Sequence, residues 1–246
     1  MARKILLVTG ASRGIGHATA VAAAAEGWDV CVNYAASPAR VEATVARCRE
    51  AGARAVAVQA DVSREAEVAH LFAACDAQLG RLDGLVNCAA VIGPRGRFDE
   101  LTDMPGVLAM WQLNVAGTFM CCREAVRRMS TRFGGKGGAI VNISSSAVAW
   151  GSSGVAVGYG ASKAAIDTFT LGLGREVAGD GIRVNALVPG IIDTEMQPPG
   201  RIAEIGPTLP MGRAGSAGEI AAGILFLLSD AASYVTGARL QVHGAK

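Results

Sequence analysis

The sequence predicts an α/β fold: a single doubly wound domain whose parallel sheet of about seven strands is covered by helices on both faces. Three observations carry this. Short apolar runs alternate with helical segments from end to end, the strand candidates are continuously apolar, and no linker-like composition break divides the 246 residues. Continuously apolar strands must be buried on both faces, which requires helices on each side of the sheet.

The chain opens with KILLVT, a short apolar run, followed by GIGHATAVAAAAEG, a helix that Gly27 closes as a cap. DVCVNY is the second strand. ARVEATVARCREAG is an amphipathic helix ending at Gly52, and RAVAVQAD is the third strand. In REAEVAHLFAACDAQLG, Val68, Leu71, Phe72 and Cys75 share one face at helical spacing. GLVNCAA is the fourth strand, and a long helical segment covers roughly Met110 to Arg132. AIVNIS gives the fifth strand, a small-residue helix runs from about Tyr159 to Val177, and IRVNALVP is the sixth strand. From Pro189 to Gly215 the chain is irregular, with five prolines and five glycines. A segment this long in a compact domain is expected to be a lid over a site. AGEIAAGILFLLSD and ARLQVH supply the last helix and strand.

Hydrophobic residues make up 51% of the chain and charged residues 18%, with mean hydropathy +0.33, which argues against disorder. The net charge of +2 comes from 23 basic and 21 acidic residues scattered along the sequence, so no basic block invites nucleic acid. No stretch approaches the ~18 apolar residues of a membrane span. The apolar part of MARKILLVTG is too short for a secretory leader. Six cysteines show neither paired nor metal-ligand spacing, and read as reduced core residues of a cytoplasmic protein with no metal. The three histidines fall outside every motif, and the serines have no histidine and acid partners for hydrolytic chemistry.

Two stretches carry chemistry. VTGASRGIG follows the first strand and opens the first helix. Gly10, Gly14 and Gly16 permit a tight turn, and the helix N-terminus offers free N–H groups and a positive dipole end to a pyrophosphate. Tyr159 and Lys163 stand four apart at the start of a helix, so they share a face. A free tyrosine titrates near ~10; a fixed ammonium beside it favours the phenolate and brings proton exchange toward neutrality.

These stretches, with ADV at 60–62, LVNCAA at 85–90, Asn114, the serines of ISSSAVAW, YGASK at 159–163 and NALVPG at 185–190, resemble the short-chain dehydrogenase/reductase family over essentially the whole chain. In size and motif set the chain is similar to the glucose dehydrogenases and 3-oxoacyl reductases of that family. The resemblance implies a Rossmann-type domain and an NADP(H)-dependent oxidoreductase that interconverts a carbonyl and a secondary alcohol, with tyrosine as general acid/base. By the same resemblance Lys163 would lower the tyrosine pKa and hold the nicotinamide ribose, and Asn114 would kink the long helix and support a relay water. One serine would hydrogen-bond the substrate oxygen. Counting back 13 residues from the tyrosine points to Ser146, whereas aligning the strand itself points to Ser145. Because strand register fixes side-chain direction and a loop absorbs an insertion cheaply, Ser145 is the choice.

The cofactor surface that the resemblance implies comprises Gly10, Ser12, Arg13, Gly14, Ile15 and Gly16 in the loop, and Asn33 and Tyr34 at the end of the second strand. Asp61 and Val62 would lie at the adenine and Asn87 and Ala89 beneath the cofactor, with Tyr159 and Lys163 at the ribose. Pro189, Gly190, Ile192 and Thr194 would lie at the carboxamide. NAD-preferring relatives carry an acid near the end of the second strand; here VNYAAS has none, and Arg13 could pair with a 2′-phosphate, so NADP is expected, with NAD possible. The family pattern Asn-Asn-Ala-Gly is replaced by Asn87-Cys88-Ala89-Ala90, which implies a modest change in cofactor fit. The expected partners are a small carbonyl or alcohol and three further copies in a homotetramer, with Ile166, Phe169, Leu173 and Val177 on a pairing stripe. Ile191, Ile192, Met196, Leu209 and Trp150 would give the substrate pocket an apolar wall. The rival reading is an NAD(P)-binding sensor or scaffold with weak turnover.

Overall fold

The computed structural model describes residues 3–245. Nine strands run in chain order: β1 (Lys4–Val8), β2 (Trp28–Tyr34), β3 (Ala55–Gln59), β4 (Gly84–Asn87), β5 (Gly138–Ile143), β6 (Ile182–Pro189), β7 (Ile192–Asp193), β8 (Gly215–Ser216) and β9 (Arg239–Val242). Seven of them form one parallel sheet, ordered β3-β2-β1-β4-β5-β6-β9, as the apolar runs predict. The order reverses between β1 and β4. Loops leaving these two strands at their carboxyl ends diverge to opposite faces, which opens a crevice there.

The helices are α1 (Gly14–Ala25), α2 (Pro38–Glu50), α3 (Glu65–Gln78), α4 (Met104–Trp111), α5 (Thr118–Met129), α6 (Ala147–Trp150), α7 (Val157–Val177), α8 (Arg201–Ile205) and α9 (Ala217–Leu228). They cover the sheet with two separate cores. Leu6 and Val8 of β1 turn toward α1, α2 and α9, while Ile5 and Leu7 turn toward α3, α5 and α7. The alternation of β1 residues between cores is the two-residue period of a strand, and explains why Ile5 to Val8 are all apolar. Asp29 anchors the opposite end of the sheet: its buried carboxylate accepts from the Arg54 amide at 2.9 Å and the Arg54 Nε at 2.7 Å.

Two elements differ from the sequence expectation. The long helix starts earlier, at Met104, where the Asp103 side chain accepts from the Gly106 amide at 2.8 Å. Its interruption falls where the resemblance implied a kink, at Asn114: residues Gln112–Gly117 form a π-helical turn between α4 and α5. The segment from 189 to 215 is less irregular than its prolines suggest, because β7 and β8 pair in parallel at its base and α8 lies between them. Its return is fixed by a capping box, in which Ser216 accepts from the Glu219 amide and Glu219 accepts from the Ser216 amide.

The pairing stripe on α7 is corrected by the packing. Ile166 and Val177 are buried within the monomer, and Phe169 and Leu173 pack against the α3/α5 core. Phe169 stacks on Phe119 of α5 with ring centroids 3.8 Å apart. The large apolar side chains left exposed on α4, α5 and α7 are Met104, Leu108, Trp111, Phe119, Val157 and Leu171. A helical stripe longer than three turns drifts around the axis, so its ends face inward while its neighbours face out.

Candidate active site

Four chain segments meet at the carboxyl edge of the sheet: the glycine loop after β1, residues 88–91 after β4, the serines after β5 and residues 190–194 after β6. The first is shaped by its glycines. Gly10 has φ +63°, and a Cβ there would lie 2.8 Å from the Ala89 Cα; one on Gly16 would lie 2.6 Å from the Gly10 carbonyl oxygen. Neither position tolerates a side chain, and the result is a bare backbone cradle in front of α1. Arg13 caps α1 in an extended conformation with no side-chain cap, and no acid occupies the first turn. Free N–H groups, a positive helix end and an exposed arginine make a donor set suited to a dinucleotide pyrophosphate. Thr194 faces the loop, its Cγ2 3.5 Å from where a Gly14 Cβ would sit.

Several expected cofactor residues serve from behind this surface. Asn33 is buried; its Oδ1 accepts from the Gly10 amide at 3.3 Å and its Nδ2 donates to the Val58 and Ala60 carbonyls. Asn87 is likewise turned into the sheet, where its Nδ2 donates to Asn142 Oδ1 at 2.8 Å and contacts Cys122 Sγ. Asn33 is thereby committed to protein partners, whereas the Oδ1 of Asn87 is buried without one. Asp61 accepts from the Ser63 amide at 3.0 Å, half-exposed, and Val62 is buried. Tyr34 is half-buried at the end of β2, and Ile15 packs on the α1 core. Ser12 and Ala89 are half-exposed beside the loop, Ala89 donating its amide to Thr9 Oγ1. Ile192 is buried under the lid, Gly190 donates to Val242 and Pro189 accepts from the Ser146 amide. Ala90 has no positive φ, so the alanine in place of the family glycine brings no backbone strain.

The chemical end stands on α7 and the end of β5. Ser144 and Ser146 are buried, the first with its hydroxyl toward the Lys163 carbonyl and the second tied by its amide to Pro189. Ser145 is half-exposed and hydrogen-bonds Tyr159. Of the three serines, only Ser145 meets the tyrosine, as strand register predicts. Lys163 is buried and donates to the Ile143 carbonyl at 2.7 Å, with its Nζ 5.9 Å from the Tyr159 ring centroid. Burial brings the Lys163 ammonium down to about 8, opposed by Cys88 and Asp167. The Tyr159 phenol moves the other way from the expectation: burial pushes it up, Cys88 adds to this, and the Ser145 hydrogen bond offsets part. In the protein alone the phenol is therefore neutral at physiological pH and holds a proton to give.

Asn114 lies in the π-helical turn, where the i→i+5 pattern swings its side chain inward. Its Oδ1 accepts from the Val91 amide at 3.0 Å, and its Nδ2 donates to the Val91 carbonyl at 2.9 Å and to Ser162 Oγ at 3.2 Å. Ser162 in turn donates to the Tyr159 carbonyl at 2.8 Å, so the turn is tied to the start of α7. Ser162 and Thr9 were not singled out by the sequence. Thr9 Oγ1 accepts from the Cys88 and Ala89 amides at 3.0 and 3.1 Å and fastens the β1 end to the β4 loop. The small polar residues inside YGASK and VTGAS were the available signals.

The apolar wall divides. Trp150 and Met196 are exposed in segments next to the serines and Thr194. Ile191, Ile192 and Leu209 instead line a cavity of about 180 Å³ under the lid with Met211, Gln241 and His243, apart from Ser145, Tyr159 and Lys163. No helix among the described residues is long and apolar enough to cross a membrane.

A family model described as Enoyl-(Acyl carrier protein) reductase matches residues 10–244. The chain is 46% identical over 246 residues to an uncharacterised oxidoreductase, YgfF, of Escherichia coli K12, covering 98% of this chain and 99% of that one. It is 40% identical to a 3-oxoacyl-[acyl-carrier-protein] reductase of Synechocystis, covering 98% and 96% of the two chains. A short-chain dehydrogenase of Burkholderia cenocepacia, solved in complex with NADP, superposes with TM-score 0.91 at 34% identity, over 98% of this chain and 96% of its own. With the crevice, the glycine cradle and the Ser145–Tyr159–Lys163 cluster in place, these likenesses lead to one conclusion: the chain belongs to the short-chain dehydrogenase/reductase family and is an NAD(P)-dependent oxidoreductase.

Proposed function

We propose that this protein is an NADP(H)-dependent carbonyl reductase, interconverting a ketone or aldehyde with its alcohol, with Tyr159 as proton donor. The observation that carries the reading is the hydrogen-bonded Ser145–Tyr159 pair beside buried Lys163, at the crevice where the glycine cradle opens. When bound, the nicotinamide supplies or accepts the hydride. Ser145 would hold the substrate oxygen against the phenol. Tyr159 gives its proton to that oxygen as negative charge builds there, a step suited to a phenol that burial keeps neutral. Lys163 would receive the ribose hydroxyls with the donors that Ile143 leaves open, and its charge would steady the phenolate formed by proton transfer. Asn114 holds the residue 91 loop to α7, keeping the far wall of the site at fixed distance.

Support for NADP comes from the end of β2, where residues 33–37 bring no carboxylate, and from exposed Arg13. The NADP complex of the Burkholderia protein agrees with it. Arg13→Ala is expected to lower the preference for NADPH over NADH by about tenfold, the equivalent of ~1.4 kcal/mol for one charge-assisted contact. Binding titrations with both cofactors check it; an unchanged ratio removes Arg13 from the 2′-phosphate site.

For substrate class, the exposed Val91, Trp150, Val155, Val157 and Met196 in segments flanking Ser145, Tyr159 and Thr194 favour a carbonyl carrying an apolar portion. The likeness to the Synechocystis 3-oxoacyl reductase points the same way. A panel of carbonyls run with NADPH and NADH tests both parts of the reading, and no NADPH oxidation across the panel would sink it. The assembly we propose is a cytoplasmic homotetramer, resting on exposed Leu108, Trp111, Phe119 and Leu171. Light scattering should return about 100 kDa, four times 25.1 kDa, and a monomer mass would count against it.

A further inference from the structure

We propose that Asp167 is the counter-ion of Lys163, a buried positioning residue that acts on the reaction only through that lysine. This rests on the reading of Lys163 as the cation that receives the cofactor ribose.

The geometry starts from helix register. Tyr159, Lys163 and Asp167 are spaced four residues apart on α7, so each lies about 6 Å further along the axis and they stack on one side. Asp167 is buried, 8% exposed, against the inner surface of the domain. Its Oδ2 accepts from Arg239 Nη1 of β9 at 3.0 Å, whereas its Oδ1 is buried with no hydrogen-bond partner. A buried carboxylate oxygen without a donor is costly, and one electrostatic neighbour repays it. One turn toward the helix N-terminus is Lys163, whose ammonium donates to the Ile143 carbonyl.

The other groups that face Lys163 cannot balance its charge. Tyr159 on the same helix is a neutral phenol. Ile143 and Ser144 of β5 offer dipoles. Cys88, at the end of β4, is a thiol pushed up to about 11 by burial, and so carries no charge near neutrality. Among the described residues, Asp167 is the carboxylate whose field reaches the lysine and favours its protonated form. Arg239 fixes the carboxylate rotamer from the sheet edge and, with about half its own side chain in water, offsets part of that field.

The test is NADPH binding, followed by nicotinamide fluorescence from pH 6 to 10 on the full chain, which needs no turnover. In the wild type the Kd should rise above about pH 8, as Lys163 loses its proton. Lys163→Met should bind weakly with no such limb. Asp167→Asn should move the limb down by about one pH unit, with Kd below the limb changed less than about threefold, which is the scale of a unit charge one turn away. Asp167→Glu should restore at least half of that displacement. Arg239→Gln should move the limb up, because it removes a cation from the carboxylate, and this arm decides the matter should Asp167→Asn not fold. A limb that persists in Lys163→Met overturns the ribose reading and the proposal together. A limb lost in Lys163→Met but unmoved in Asp167→Asn, or unmoved or lowered in Arg239→Gln, overturns the proposal alone.

Discussion

Tyr159→Phe is expected to lower kcat for carbonyl reduction by about 10³-fold while changing the NADPH Kd by less than about threefold. The substitution deletes one hydroxyl from a half-buried ring on α7, so the cradle at residues 10–16 is untouched. What disappears is the proton that must reach the substrate oxygen, and a positioned general acid contributes ~10²–10⁴ in rate. The neighbour that meets the phenol, Ser145, is an ordinary hydroxyl and too weak an acid to take its place. Single-turnover hydride transfer measured beside equilibrium cofactor binding separates the two quantities. A variant that keeps more than a tenth of wild-type kcat would favour the sensor or scaffold reading, in which Tyr159 is a packing residue.

Ser145→Ala should cost about 10²-fold in kcat/KM, the scale of one lost donor at a developing oxyanion. Ser146→Ala should fall within a few-fold of wild type. The contrast follows from where the chain turns. Ser145 opens toward Tyr159 and its Oγ also accepts from the Ala147 amide at 3.1 Å, which fixes its rotamer at the start of α6. Ser146 faces inward, and its structural task is done by its backbone, which donates to Pro189 at 2.9 Å and would do so with any side chain. Steady-state kinetics on the two variants decides between them, and a reversed order of effects would transfer the substrate contact to Ser146.

Much of this was legible before the fold was known. The continuously apolar runs KILLV, VCV and AIVNI could only be strands of a sheet covered on both faces, and the two cores bear that out residue by residue. The glycine loop was legible because its requirement is local: a left-handed turn at Gly10 and a contact at Gly16 too close for a Cβ exclude every other residue there. The choice of Ser145 was legible because strand pleat transmits direction from Ile143 outward.

Other features depend on partners far along the chain. The interruption at Gln112–Gly117 has no proline to announce it; it arises because Asn114 finds the Val91 backbone and Ser162 at once. Asn33 spends its amide on the glycine loop and the end of β3, whereas Asn87 gives its Nδ2 to Asn142 and keeps a buried Oδ1 without a partner. Ile191, Ile192 and Leu209 carry the right chemistry for a substrate wall but face a different cavity, since the β7–β8 pair rotates them under the lid.

By itself, then, the sequence determined the sheet, the cradle and the shared face of Tyr159 and Lys163, because periodicity, glycine sterics and four-residue spacing are properties of neighbours in the chain. Tertiary structure alone decided the environment of these groups: burial raises the Tyr159 phenol and lowers the Lys163 ammonium, and an arginine from β9 pins the Asp167 carboxylate one turn beyond that lysine.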